Sequence, residues 1–149
     1  MKNVSIREAS NKDTHIVLGL LYELGRPKPQ NDSELESFKK LIKKYIVDSD
    51  KKILIAEFSD EIIGLVSIVF LSRLNRITLE LYIPELIVRE KFRSQGIGKK
   101  LINSCISIAK EKKCHRIRLE SGNQRKESHK FYKKLGFEQS GLSFTKNLN

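Results

Sequence analysis

The 149-residue chain has no tryptophan, one methionine, three prolines and two cysteines, and it contains no run of eighteen apolar residues. The last absence excludes a membrane-spanning helix. Met1 to Ser10 lacks the apolar stretch of a secretory signal, so the chain is expected to be cytoplasmic, without membrane association. Cys105 and Cys114 are too few for a disulfide framework, and no His or Cys stands near them at zinc-ligand spacing; both read as reduced packing residues, and no metal is expected. Aromatic residues make up only 7%, with no interleaved basic and aromatic platform of the kind RNA-binding sheets use, which argues against a nucleic-acid partner. There is no internal repeat, low-complexity tract or interdomain linker.

What is present is charge and regular apolar patterning. Lys and Arg number 29 against 18 Asp and Glu, a formal net charge of +11, which favours contact with polyanions, phosphorylated cofactors among them. The 39% of hydrophobic residues is spread along the chain and suffices for a core, so residues 1–149 are expected to form a single domain.

Val4 and Ile6 alternate with polar neighbours as a short strand, and Ser10 with Asp13 has the spacing of a capping box. Ile16, Val17, Leu20, Leu21 and Leu24 then share a helical face that ends at Gly25, Pro27 and Pro29. Ser33 with Glu36 predicts a second helix carrying Leu35, Phe38, Leu41, Ile42, Tyr45 and Ile46. Short apolar runs follow at Ile53 to Phe58 and Ile62 to Leu71, joined at Ser59-Asp60-Glu61 as a hairpin. The next run, Ile77 to Val88, is interrupted by Pro84, which cannot donate to a sheet ladder and marks an edge, a bulge or a splayed segment. A helix to about Lys113, a strand at His115 to Ser121, a helix from about Arg125 to Leu135 stopped by Gly136, and a terminal strand near Phe137 to Phe144 complete the order β-α-α-β-β-β-α-β-α-β.

Between the broken strand and the third helix lies Arg93-Ser94-Gln95-Gly96-Ile97-Gly98. Glycines opening a helix after a strand direct unpaired backbone N–H groups and the helix dipole at one spot, which suits phosphate, and Arg93, Lys99 and Lys100 add charge. A glycine there lets an anion approach the backbone without meeting a Cβ. A Walker A loop would need glycine where Arg93 stands and Ser or Thr where Lys100 stands, and a dinucleotide fingerprint would need a third glycine where Leu101 stands.

With these residues the chain resembles the GNAT superfamily of N-acetyltransferases, from Val4 to about Lys146. Glu85-Leu86-Ile87-Val88 followed by Arg93 to Gly98 is similar to the family's acetyl-CoA motif. Asn123 and the run Ser128-His129-Lys130-Phe131-Tyr132-Lys133-Lys134-Leu135-Gly136-Phe137 are similar to its second cofactor motif. The resemblance implies an α/β fold: a mixed, mostly antiparallel sheet splayed at the fourth strand and flanked by about four helices. It implies acetyl-CoA as cosubstrate, with Arg93, Ser94, Gln95, Gly96, Ile97, Gly98 and Lys99 around the pyrophosphate. Leu86, Ile87 and Val88 would offer backbone bonds to the pantetheine arm, whose far side Asn123 and Ser128 would line. Within the superfamily the chain resembles the aminoalkylphosphonate N-acetyltransferase group, although that group carries histidines where this chain has Arg73, Asn75 and Arg76.

Acyl transfer to an amine needs a neutral amine, a polarised thioester and a proton donor for the departing thiolate. Tyr132 matches the family tyrosine assigned as the acid, and Glu85 is placed to act as base, with Glu80 and Tyr82 as rivals. His129, at helical spacing from Tyr132, reads as a packing or cofactor-contacting residue. Neither cysteine has a neighbouring activator, so direct transfer in a ternary complex is expected. The acceptor is expected to be the primary amine of a small molecule such as an amino acid or aminophosphonate. Its cleft would take in Tyr22 to Ser33, Phe70 to Arg76 and the tail after Phe137, where Arg26, Lys28, Arg73 and Arg76 point to an acidic group on the acceptor. The alternatives are a protein amine as acceptor, a non-catalytic acyl-CoA-binding module or a nucleic-acid-associated one. The family also includes homodimers.

Overall fold

In the computed structural model, which describes residues 3–149, the chain enters through strand β1 (Ser5–Glu8) and turns at Ser10. The Ser10 N–H donates to Asp13 Oδ2 at 2.7 Å, completing the capping box that the spacing predicts, and a 3-10 turn at Asn11–Asp13 leads into α1 (Thr14–Glu23). Arg7 on β1 clamps Asp13 at 2.9 and 3.1 Å and Glu57 at 3.0 Å; the hydrogen bond from Arg7 holds the Asp13 carboxyl below the usual carboxylate range. Helix α2 (Asp32–Val47) is capped not by Ser33 but by Asn31, whose side chain accepts the Glu34 N–H at 2.8 Å. Ser33 is already inside the first turn, with its carbonyl bonded by the Ser37 hydroxyl, whereas extended Asn31 reaches the orphan amide.

Strands β2 (Lys51–Phe58) and β3 (Glu61–Arg73) form the expected hairpin, closed by Ser59 and Asp60, both with positive φ as the twist of a two-residue turn requires. Strand β4 (Arg76–Ile83) pairs with the far half of β3, and β5 (Leu86–Val88) with its near half. Helix α3 (Ile97–Glu111) then crosses over to β6 (Arg116–Leu119). The result is a mixed, mostly antiparallel sheet of order β1-β2-β3-β4-β6 with β5 on β3. The chain divides into two compact units, one through Arg118 and one from Leu119 to Asn149. No helix among the described residues is long and apolar enough to cross a membrane.

In the first unit Ile53, Ile55, Leu65 and Ile87 pack against Val17, Leu18 and Leu20 of α1 and Ile42 of α2, all buried. The opposite face takes α3, which buries Ile97, Leu101, Ile102 and Cys105. Gly64 stands on that face: a Cβ there would sit 3.0 Å from the Ile87 carbonyl and 3.4 Å from Leu101, so glycine lets α3 lie close over β5.

At the junction of β3, β4 and β6 the fully buried Glu80 carboxylate accepts from Arg118 Nε at 2.6 Å and Arg116 Nε at 2.8 Å, with Arg73 at 3.5 Å. Burial alone would raise its pKa, but the bonds from Arg118 and Arg116 prevail and hold it down at about 2.

In the second unit α4 (Lys126–Lys134) ends in a glycine cap. Gly136, at φ 90°, donates to the Lys133 carbonyl and Phe137 to the Tyr132 carbonyl, both at 3.0 Å. The strand expected near Phe137 to Phe144 does not form, and residues 137–149 hold no regular element. Phe137, Leu142 and Phe144 do not share one alternating face, Gly141 interrupts them, and Leu142 and Phe144 are exposed.

Candidate functional site

The break at Pro84 is a bulge. Val69 pairs with Tyr82 while Val66 pairs with Leu86, so three steps along β3 are matched by four on the facing segment. The extra residue is absorbed at Glu85, whose N–H donates to Ser67 Oγ at 2.9 Å while its carbonyl accepts the Ser67 N–H at 3.0 Å. Beyond it the ladder alternates. Ile87 lies opposite Leu65, and the Arg89 N–H reaches the Ile63 carbonyl at 2.8 Å, so the polar backbone groups of Ile87 turn toward β3 and its side chain is buried. Those of Leu86 and Val88 turn the other way. No strand covers that edge among the described residues, because β6 joins the sheet beside β4. Of the three strand residues singled out by sequence, the structure leaves Leu86 and the N–H of Val88 turned to the open edge, where the Val88 carbonyl accepts from Arg93, and commits Ile87 to the sheet.

The loop after β5 runs back toward the same edge. Arg93 Nε donates to the Val88 carbonyl at 2.9 Å, and Gln95 Nε2 to the Lys91 carbonyl at 3.3 Å. Ser94 and Gly96 adopt positive φ, 61° and 83°, so that Gly96 is the N-cap of α3 and, having no side chain, caps none of the amides of Ile97, Gly98 and Lys99 that follow. A Cβ on Gly96 would meet nothing within 4 Å, so backbone conformation rather than lack of space calls for glycine there. An uncapped helix start beside an open strand edge fits a ligand with a phosphate group and an amide-bearing arm, as coenzyme A has.

On the other side of the bulge a cavity of about 340 Å³ lies between α1, α2 and the sheet. Glu85 lines it, its Oε2 accepting from Ser67 Oγ at 3.0 Å. Tyr45, also in the lining, donates to the Ile68 carbonyl at 3.1 Å; burial first, and the charge of Glu85 second, push its phenol up. Of the basic residues expected around the acceptor, only Arg26 lines the cavity, its guanidinium 3.3 Å from the Pro84 carbonyl. Lys28 lies 5.8 Å from the Tyr22 ring centre, Arg73 pairs with Glu80, and Arg76 is exposed on the β3–β4 hairpin. Glu80 is spent on its arginines and Tyr82 stacks under Arg118 at 4.7 Å, which sets both apart from Glu85 as bases.

The remaining candidates belong to the second unit. Tyr132 packs edge-on against Phe131 and Phe137, with ring centres 5.2 and 5.8 Å away, and burial pushes its phenol up, offset in part by Arg125. Asn123 is exposed in the loop before α4 and Ser128 lies half-buried in the first turn of the helix. His129 Nε2 donates to the Gly122 carbonyl at 2.9 Å, tying that loop to the helix. Ser121 Oγ is buried without a hydrogen-bond partner among the described residues. Both cysteines are free; burial pushes the Cys105 thiol up to about 12 and raises Cys114 as well, which leaves neither as a thiolate at neutral pH.

The model of the acetyltransferase (GNAT) family matches residues 18–137, a span that runs through both units. The chain belongs to the GNAT acetyltransferase family. Among curated proteins it is 27% identical to the aminoalkylphosphonate N-acetyltransferase of Salmonella typhimurium over 143 residues, which cover 96% of this chain and 90% of that one. A crystal structure of a transcriptional regulator from Bacillus halodurans superposes with a TM-score of 0.83 at 29% identity, covering 97% and 99% of the two chains. Glucosamine-6-phosphate N-acetyltransferase from Arabidopsis thaliana, at 21% identity and a TM-score of 0.81 over 99% and 100%, shares the fold. The family uses acetyl-CoA as cosubstrate, and this GNAT protein is an acyl-CoA-dependent N-acetyltransferase. Sequence reading of this acetyltransferase missed Ser67 and Tyr45 beside Glu85. An isolated Ser in an apolar strand and a Tyr on a helix face carry no spacing that ties them to a residue on another element.

Proposed function

We propose that this acetyltransferase moves the acetyl group of acetyl-CoA to the primary amine of a small molecule by direct attack in a ternary complex. One observation carries the reading: the bulge at Pro84–Glu85 has an open strand edge and an uncapped helix start on one side and a carboxylate-tipped cavity on the other. The amides of Ile97, Gly98 and Lys99, with Arg93 steadying the loop, would hold the pyrophosphate, and Leu86 and the Val88 N–H would hydrogen-bond the pantetheine arm. Ile87 would contribute by packing, and Ser94, Gln95 and Gly96 by shaping the loop. Asn123 and Ser128 would line the far side of the thiol arm, as the family resemblance implies.

Glu85 would take a proton from the incoming ammonium, freeing the nitrogen lone pair to bond to the acetyl carbon as the carbon–sulfur bond breaks. Tyr132 would return a proton to the departing thiolate. The role of Tyr132 rests on its motif, and that of Glu85 on the cavity. A cavity walled by two helices and a sheet supports a small acceptor over a protein tail.

Acetyl-CoA is expected to bind exothermically in titration calorimetry. Gly96→Val, which forces a branched side chain into positive φ at a cost of about 1–2 kcal/mol, is expected to weaken that binding about tenfold. Absence of binding by the native chain would refute the reading. Glu85→Gln is expected to keep the acetyl-CoA affinity while lowering amine-dependent thiol release about a hundredfold; unchanged turnover would remove Glu85 from proton transfer.

A further inference from the structure

The cavity beside Glu85 has chemistry of its own. Val17 and Leu21 of α1, Phe38, Leu41 and Ile42 of α2, and Leu65 of β3 form its walls, all apolar. Its polar groups are few: the Tyr45 hydroxyl is occupied by the Ile68 carbonyl, Ser67 is bound to Glu85, and Tyr22 adds one further hydroxyl. Among the described residues the only anion in the lining is Glu85, and the only cation is Arg26, which is exposed and faces the Pro84 carbonyl. A doubly charged phosphonate placed among those walls would lose water and meet few donors, those of the exposed Arg26 and the Tyr22 hydroxyl, whereas an apolar body would lose nothing by leaving water. An ammonium brought to Glu85 gains a charge-assisted hydrogen bond, and the carboxylate is held in place for it by Ser67.

We infer that the acceptor is a primary amine with an apolar body, such as a branched alkyl or arylalkyl amine, its ammonium on Glu85 and its body among the side chains of α1 and α2. The inference rests on the proposed acetyl transfer and narrows its acceptor. Ser67 is then a positioning residue, which aims the Glu85 carboxylate into an otherwise apolar chamber.

Two amines of equal chain length decide the matter: 2-phenylethylamine and 2-aminoethylphosphonate, offered to the full chain with acetyl-CoA and read by thiol release and mass spectrometry. The expected result is a kcat/KM at least tenfold higher for phenylethylamine, with isopentylamine on the same side. Leu41→Gln alters the wall at a position that is 63% exposed and so spares the fold. It is expected to raise the KM for phenylethylamine threefold or more while the calorimetric affinity for acetyl-CoA stays constant. Equal or greater activity on the phosphonate, or a KM indifferent to Leu41→Gln, overturns the inference. If acetyl-CoA binds and only polar or protein amines are acetylated, the apolar acceptor fails and acetyl transfer stands. If acetyl-CoA does not bind, the transferase reading fails first.

Discussion

Glu80→Ala is expected to lower the unfolding free energy of this acetyltransferase by about 3 kcal/mol at pH 7, with a fall in Tm of about 10 °C. The magnitude follows from the carboxyl pKa, depressed from 4.5 to about 2, at about 1.4 kcal/mol per unit. It agrees with the roughly 3–5 kcal/mol lost when one partner of a buried ion cluster is removed. The pH dependence has a definite sign. A carboxylate with depressed pKa stabilises fully above 4.5, and the contribution disappears as pH falls through about 2. Urea titrations of the two proteins should therefore give unfolding curves far apart at pH 7 that converge toward pH 2. A gap independent of pH would mean that Glu80 acts through packing and not through Arg116 and Arg118.

Tyr132→Phe is expected to lower kcat by about 10²–10³-fold with the acetyl-CoA affinity retained. The ring keeps its edge contacts to Phe131 and Phe137 and the backbone keeps the glycine cap, so only the hydroxyl is lost. An acid works while protonated. With burial pushing the phenol up, the native rate should hold through neutral pH and decline only above 10.0, the ordinary phenol value, and the variant should lack that alkaline limb. Rates measured across pH 6 to 11 with saturating acetyl-CoA test this; turnover equal to the native value would assign Tyr132 to packing.

Local rules carried much of the fold. The Ser10–Asp13 box, the stop at Gly25, the turn at Ser59-Asp60, the interruption at Pro84 and the cap at Gly136 each concern residues within a few positions of one another, and each stands where its pattern puts it. The failures were local as well. Asn31 outcompeted Ser33 for a cap because two polar residues of similar propensity lay within one turn, and the terminal strand failed because no partner or shared apolar face offset the ordering of residues 137–144.

The family motif, the glycine loop at Arg93 to Gly98 and the proline break were written in the sequence by itself, since all three rest on backbone conformations that particular residues impose at short range. Only the tertiary structure decided that the backbone of Leu86 and Val88 turns away from β3 while that of Ile87 does not. It alone gave Glu80 to three arginines, and it removed Arg73 and Arg76 from the cavity and left Glu85 with Ser67 among apolar walls. Those outcomes depend on strand register and on which faces of separate elements meet, and a one-residue bulge inverts them without altering any local pattern.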